Sequence, residues 1–297
     1  MVSPDANSRS PLERFLDQQR RMFECGSCGD DAAGVFLPPP PAMPRTQEQA
    51  WHSLSVPERA GLENFFRPLI EGFHAGYVLF GTKPMSLGAV ITEEVKTTLV
   101  GMSRVTQLDY ATWARLAPRL PEGPFHIHLF NQLIPGGAAD LIVLHRERIG
   151  AVLASEHDRF AAAFGPAIDG PQMIERLTTA PTLRAALTDQ TGRYREDLLG
   201  LMLGFPRQSV LAFQELQESR FTGAGAFASA PESDLASPIV PVRFRVHAED
   251  PEARVVAARY DQERRRIDTL MRQPEWLRDL LRELCPVEAS HQHRCPG

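Results

Sequence analysis

The strongest periodic signal begins at Ser55. Ser55-Val56-Pro57-Glu58 sets a hydroxyl ahead of a first turn, proline inside it and a glutamate three residues on. That is the pattern of a capping box. Leu62, Phe65, Phe66, Leu69, Ile70 and Phe73 follow at spacings of three and four. They predict a helix with one broad apolar stripe packed on a core, and Gly76 is placed to stop it. Tyr77-Val78-Leu79-Phe80 is a short apolar run between glycines and reads as a buried strand. Gly81-Thr82-Lys83-Pro84 then turns the chain. Ala89 to Val100 fits a strand or a short helix, and Thr106 to Ala117 a helix capped by Thr106 and Asp109.

Phe125 to Phe130 and Asp140 to Arg146 read as strands, and Pro135-Gly136-Gly137 between them predicts an antiparallel hairpin. Helices are expected over Arg148–Phe164, Pro171–Leu177, Leu183–Leu187 and Tyr194–Leu203. Gly204-Phe205-Pro206 interrupts before another helix with Val210, Leu211 and Phe213. Residues 222–238 are rich in Gly, Ala and Ser and read as a loop or lid. Ile239 to Val246 is a late strand candidate. Asp250-Pro251-Glu252 opens a long helix to about Arg272, and Pro274 starts a short last one. The pattern predicts an α+β fold, a small antiparallel or mixed sheet covered by about eight helices. Pro38-Pro39-Pro40-Pro41 favours polyproline II. It separates an N-terminal tail, 1–45, from a single domain, 46–284, and a polar tail follows at 285–297.

Composition narrows the function classes. The 297 residues, 43% of them apolar, suffice for one large core. The net charge of −5 provides no basic field, so neither nucleic acid nor an anionic membrane is an expected partner. No apolar run approaches the roughly 20 residues that span a bilayer, and Met1 to Arg21 lacks the apolar centre of a secretory signal. A soluble, cytoplasmic protein of bacterial type with reduced cysteines is expected. Among the 32 basic residues only Lys83 and Lys96 are lysines. The arginine bias fits a GC-rich genome, and it singles out each lysine.

His126-Ile127-His128 carries the first candidate chemistry. On a strand these imidazoles share a face about 6–7 Å apart. With Gly136 and Gly137 as the two turn residues, His128 faces His145 and His126 faces Glu147. Three imidazoles and a carboxylate would then surround a divalent transition metal such as zinc, iron or manganese. In a hydrolytic version Glu147 would be the general base and a metal-bound water the nucleophile. A one-residue change of register sends His145 and Glu147 to the other face. The alternative is that both histidines are solvent-facing positions of a half-exposed strand.

The turn Gly81 to Gly88 is the second candidate. Its amides, Thr82, Lys83 and Ser86 can bind a small anionic molecule, and a buried Lys83 can serve as a Schiff-base nucleophile. It lacks the glycines and the Gly-Lys-Ser/Thr order of a P-loop, and the alternative is a tight turn with an exposed lysine. Cys25-x-x-Cys28 is the third. Cys285, His291, His293 and Cys295 can complete a zinc knot with it, although the spacing matches no common finger. Ser86, Ser103 and Ser209 have no nucleophile-elbow context. Glu156, His157 and Asp158, and the run Glu263 to Arg266, read as solvated helix faces.

The segments Tyr77 to Met85 and Leu199 to Val210 resemble uncharacterised bacterial families, the first as an apolar strand with a Lys-Pro turn, the second as a helix–Gly-aromatic–helix element. Leu141 to Gly165 has a similar rhythm. The resemblance spans about half the chain and implies one evolutionary unit over residues 50–280, but no activity. Three function classes follow from the residues: a metal-dependent enzyme acting on a small anion, a non-catalytic anion binder using Lys83, and an adaptor that binds a protein partner through its N-terminal tail.

Overall fold

The computed structural model describes residues 47–91, 110–134, 138–219, 227–229, 237–242, 245–247 and 250–285. The proline-rich tail, Cys25, Cys28, His291, His293 and Cys295 lie outside them. Two helices open this part, α1 (Gln47–Ser53) and α2 (Val56–Gly72). The capping box at α2 is formed as expected, Ser55 accepting from the Glu58 amide while the Glu58 carboxylate accepts from the Ser55 amide at 2.8 Å. Leu62, Phe65, Phe66, Leu69 and Ile70 are all buried.

The expected strand at Tyr77 is instead a short helix, α3 (Ala75–Leu79). Its five residues are all buried, and a short apolar run buried on every side has no periodicity to separate helix from strand. His74, with φ of 62°, makes the break from α2. The turn at residues 81–84 then leads into β1 (Met85–Ile91), which begins four residues before the expected element. Next come α4 (Tyr110–Leu116), a 3-10 turn at Ala117–Arg119, β2 (Phe125–Ile134) and β3 (Ala138–His145).

β3 is the middle of a three-stranded antiparallel sheet in the order β1-β3-β2. Its alternation splits the described residues into two cores. Leu141 and Val143 point to one, built from α1–α4 and the C-terminal helices; Ile142 and Leu144 point to the other. A strand buried on both faces reads as a continuous apolar run, which is what Leu141-Ile142-Val143-Leu144 is.

The second core is covered by α5 (Arg146–Ser155), α6 (His157–Phe164), α7 (Gly170–Thr179), α8 (Leu183–Ala186), α9 (Glu196–Met202) and α10 (Arg207–Ser219). The single helix expected over 148–164 is two, broken at Glu156. That side chain is not solvated: it pairs with Arg159 at 3.5 Å and Arg207 at 2.5 Å. A two-stranded ribbon, β4 (Phe227–Ser229) with β5 (Arg245–His247), precedes α11 (Pro251–Met271) and α12 (Trp276–Leu284). Asp250 caps α11 through one carboxylate oxygen, and its other oxygen accepts from Ser209 of α10. The fold is α+β, with twelve α-helices among the described residues. None of these helices is long and apolar enough to cross a membrane.

Candidate functional site

The histidine hairpin forms, but in another register. β2 and β3 pair with Ile134 opposite Ala138 nearest the connection. That alignment differs by one from the two-residue turn assumed from sequence, and one residue reverses the faces. A further irregularity between Leu129 and Leu133 moves the outer part of β2 by two more positions, keeping those faces. His128 therefore lies opposite Ile142 and His126 opposite Leu144, toward the second core. His145 lies opposite Phe125, on the other face, with its ring edge-on to Phe125 at 5.0 Å. Glu147 is exposed in the first turn of α5 and belongs to no strand. The four-residue constellation expected from sequence is not assembled in this register. Cys285 is buried in the first core, its thiol pushed up to about 11 by burial.

What remains together is His126 with His128, ring centroids 6.3 Å apart. Burial, with the neighbouring His126, pulls His128 down to about 4. Burial and Arg146 also lower His126. Both rings are thus uncharged at neutral pH, and the buried Nε2 of His128 has no hydrogen-bond partner among the described residues.

The Gly81–Pro84 turn holds a denser cluster. Lys83 is 1% exposed, so the turn does not display its lysine to solvent. The Lys83 amide donates to Tyr77 O at 3.0 Å, and Arg148 Nη1 donates to the carbonyls of Val78 and Lys83 at 2.8 and 3.2 Å. These bonds clamp the turn backbone against α3 and direct the side chain inward. The amine donates to Leu203 O, in the turn between α9 and α10. It lies 5.0 Å from the ring centre of Phe205 and 5.9 Å from that of Tyr260. Burial pulls the amine down from its ordinary value to about 7, partly opposed by the Glu263 carboxylate.

Thr82 and Ser86, grouped with Lys83 from sequence, separate. Ser86 is buried on β1 opposite Val143, facing the first core. Thr82 is exposed, and its amide and hydroxyl donate to Glu263 Oε1 at 3.0 and 2.7 Å. The turn thus cradles a carboxylate, and that carboxylate comes from α11. Glu263 Oε2 is buried with no partner among the described residues. Gly81 makes room for it: a Cβ there would strike Glu263 Oε2 and stand 2.7 Å from Tyr77 O. On the other side of Lys83, Gly204 has φ of 73° and its carbonyl accepts from Tyr260 Oη at 2.9 Å.

Sequence reasoning missed Tyr260 and Glu263, the latter read as a solvated face. The signal was present. Val256, Tyr260, Glu263, Ile267 and Met271 repeat at spacings of four, three, four and four on α11, and all are buried. Glu263 occupies a stripe position, where a carboxylate needs a partner inside the fold.

Set against known proteins, no family model matches this chain, no curated protein is detectably similar in sequence and no solved structure matches it.

Proposed function

We propose that the chain is a binding protein for a small anion, with Lys83 at the centre of its site. One observation carries this reading: a fully buried amine with no carboxylate at ion-pairing distance among the described residues. Burying a cation without a counter-charge is costly, and the group responds by losing its proton. An anion arriving at Lys83 adds a negative charge closer than the Glu263 carboxylate, and the amine takes up a proton as it binds. Carrying the group costs stability, which is understandable at a functional site. Arginine, abundant in this chain, cannot release its proton in the same way.

Thermal unfolding at pH 7 with inorganic phosphate, acetate or pyruvate tests this. At a hundred times its dissociation constant a ligand adds about 2.7 kcal/mol to stability. A bound anion therefore raises the midpoint by several degrees, and Lys83→Met abolishes the rise. Equal midpoint shifts in both proteins would remove Lys83 from the site.

A second reading has its own observation, the uncharged His126–His128 pair with the unpartnered Nε2 of His128. Neutral imidazoles are competent metal ligands without first losing a proton. A divalent transition metal held here would use both rings and further ligands from solvent or substrate, an open site of the kind used in metal-assisted catalysis. Titration with zinc, followed by competition with a chromogenic chelator, should give one equivalent bound in the native chain and a loss of at least about tenfold in affinity for His128→Ala. Unchanged affinity in that variant would dismiss the pair.

A further inference from the structure

We propose that Lys83 forms an imine with the carbonyl carbon of a small 2-oxo acid, so that the bound anion is held covalently. The inference rests on the anion-binding reading and names its ligand class. The carboxylate of such an acid supplies a counter-charge at ion-pairing distance, which Glu263, acting on the amine from farther away, does not. Its adjacent carbonyl is the electrophile that a lysine, but not an arginine, can attack.

The surroundings of the amine suit this chemistry. Imine formation needs an uncharged nitrogen, and burial lowers the amine to about 7, so a share of it is uncharged near neutrality despite the cation–π attraction of the Phe205 and Tyr260 rings. The step balances without a cofactor. The Nζ lone pair adds to the carbonyl carbon while the C=O π electrons move to oxygen. A proton passes from nitrogen to that oxygen, and the carbinolamine loses water as the nitrogen lone pair closes the C=N bond. Hydrolysis reverses the sequence, so the adduct is a reversible means of retention.

Access runs through the turn Leu203-Gly204-Phe205. Its three residues are partly exposed, and the amine is tied to it by the single bond to Leu203 O. Displacing that turn frees the amine and gives up its bond to Leu203 O, the bond from Tyr260 Oη to Gly204 O, the backbone bonds that hold the Gly204 and Phe205 amides and the contact with the Phe205 ring. The clamp on the Lys83 backbone from Tyr77 O and Arg148 stays in place. The carboxylate cradle at Thr82 is already filled by Glu263, so the incoming acid meets the amine and not the turn amides.

Reductive trapping tests the proposal on the full chain. Pyruvate and sodium cyanoborohydride at pH 7 are expected to add one reduced adduct, mapped by peptide mass spectrometry to Lys83 at least about tenfold over Lys96. Lys83→Met should lose it. Labelling of Lys96 to the same extent, or an undiminished adduct in Lys83→Met, would mark ordinary surface amination and overturn the proposal. Thermal stabilisation by pyruvate and acetate alike, with no adduct, would overturn the imine and leave the anion site standing. Neither stabilisation nor adduct would remove both.

Discussion

Lys83→Met should make the protein more stable at neutral pH, by about 2 kcal/mol, because an apolar side chain of similar length removes a buried ionisable group. The change gives up the bond to Leu203 O, which costs about 1 kcal/mol. The larger contribution comes from protonation. The unfolded chain holds its lysine proton up to about 10.5, and the folded chain sheds it at about 7. A base whose folded value is depressed stabilises fully only above its unfolded value, and loses that contribution as pH falls to the folded one. Native stability should therefore rise from pH 7 toward 9, by up to about 3 kcal/mol at 1.36 kcal/mol per unit. From pH 9 the rise levels off, and above about 10 the trend reverses. Burial raises Cys285 to about 11 and Tyr260 to about 12, so ionisation of these groups favours the unfolded chain. Urea unfolding at pH 7, 8 and 9 checks the sign. The native midpoint should climb across that range and the Lys83→Met midpoint should stay level. Below pH 6.5 both proteins should weaken together toward pH 4, because His74 and His128 are each lowered to about 4 by burial and enter the folded state uncharged.

Gly204→Ala should destabilise by about 3–4 kcal/mol, combining a left-handed backbone with overpacking. Gly204 has φ of 73°, and a Cβ there would stand 2.5 Å from Tyr260 Oη and 2.9 Å from Pro84 Cδ. Those atoms belong to α11 and to the Lys83 turn, so relief requires the cluster itself to open. Gly192→Ala separates the two contributions. Gly192 has φ of 82° with nothing within 4 Å of a built Cβ, so its cost should be that of the backbone alone, about 1 kcal/mol. A Gly204 penalty no larger than that of Gly192 would mean that the turn at 203–205 is not packed against Lys83 and Tyr260. Gly204→Ala should also weaken anion-dependent stabilisation, since it disturbs the wall of the site.

Legibility in the sequence followed how much of each signal was local. The α2 capping box and stripe were readable because every participant lies within twenty residues of Ser55. So was the N-cap at Asp250, where proline follows the capping residue. The hairpin was readable as a hairpin. Its register was not, since pairing near the connection was off by one and an irregularity in β2 added its own shift, and parity decides which side chains share a face. That is why His126 and His128 stayed together while His145 and Glu147 left them. The helix at Ala75–Leu79 was misread because burial on all sides erases periodicity. The Lys83 cluster joins residues from 77 to 263, contacts between elements that no local pattern encodes. Two clues were nonetheless in the chain: the rarity of lysine and the place of Glu263 on the α11 stripe.

On the anion-binding reading Lys83 is a buried amine that is only partly protonated near neutrality and becomes fully protonated when an anion arrives. With two lysines in the sequence, Lys83 and Lys96, a sample labelled with carbon-13 at lysine Cε gives two resonances to follow, assigned by Lys83→Met. The Lys83 resonance should titrate near pH 7 in the free protein and move upward by a unit or more, roughly, when phosphate or acetate is added. A Lys83 resonance that titrates near the ordinary lysine value of about 10.4 and ignores both anions would overturn this reading.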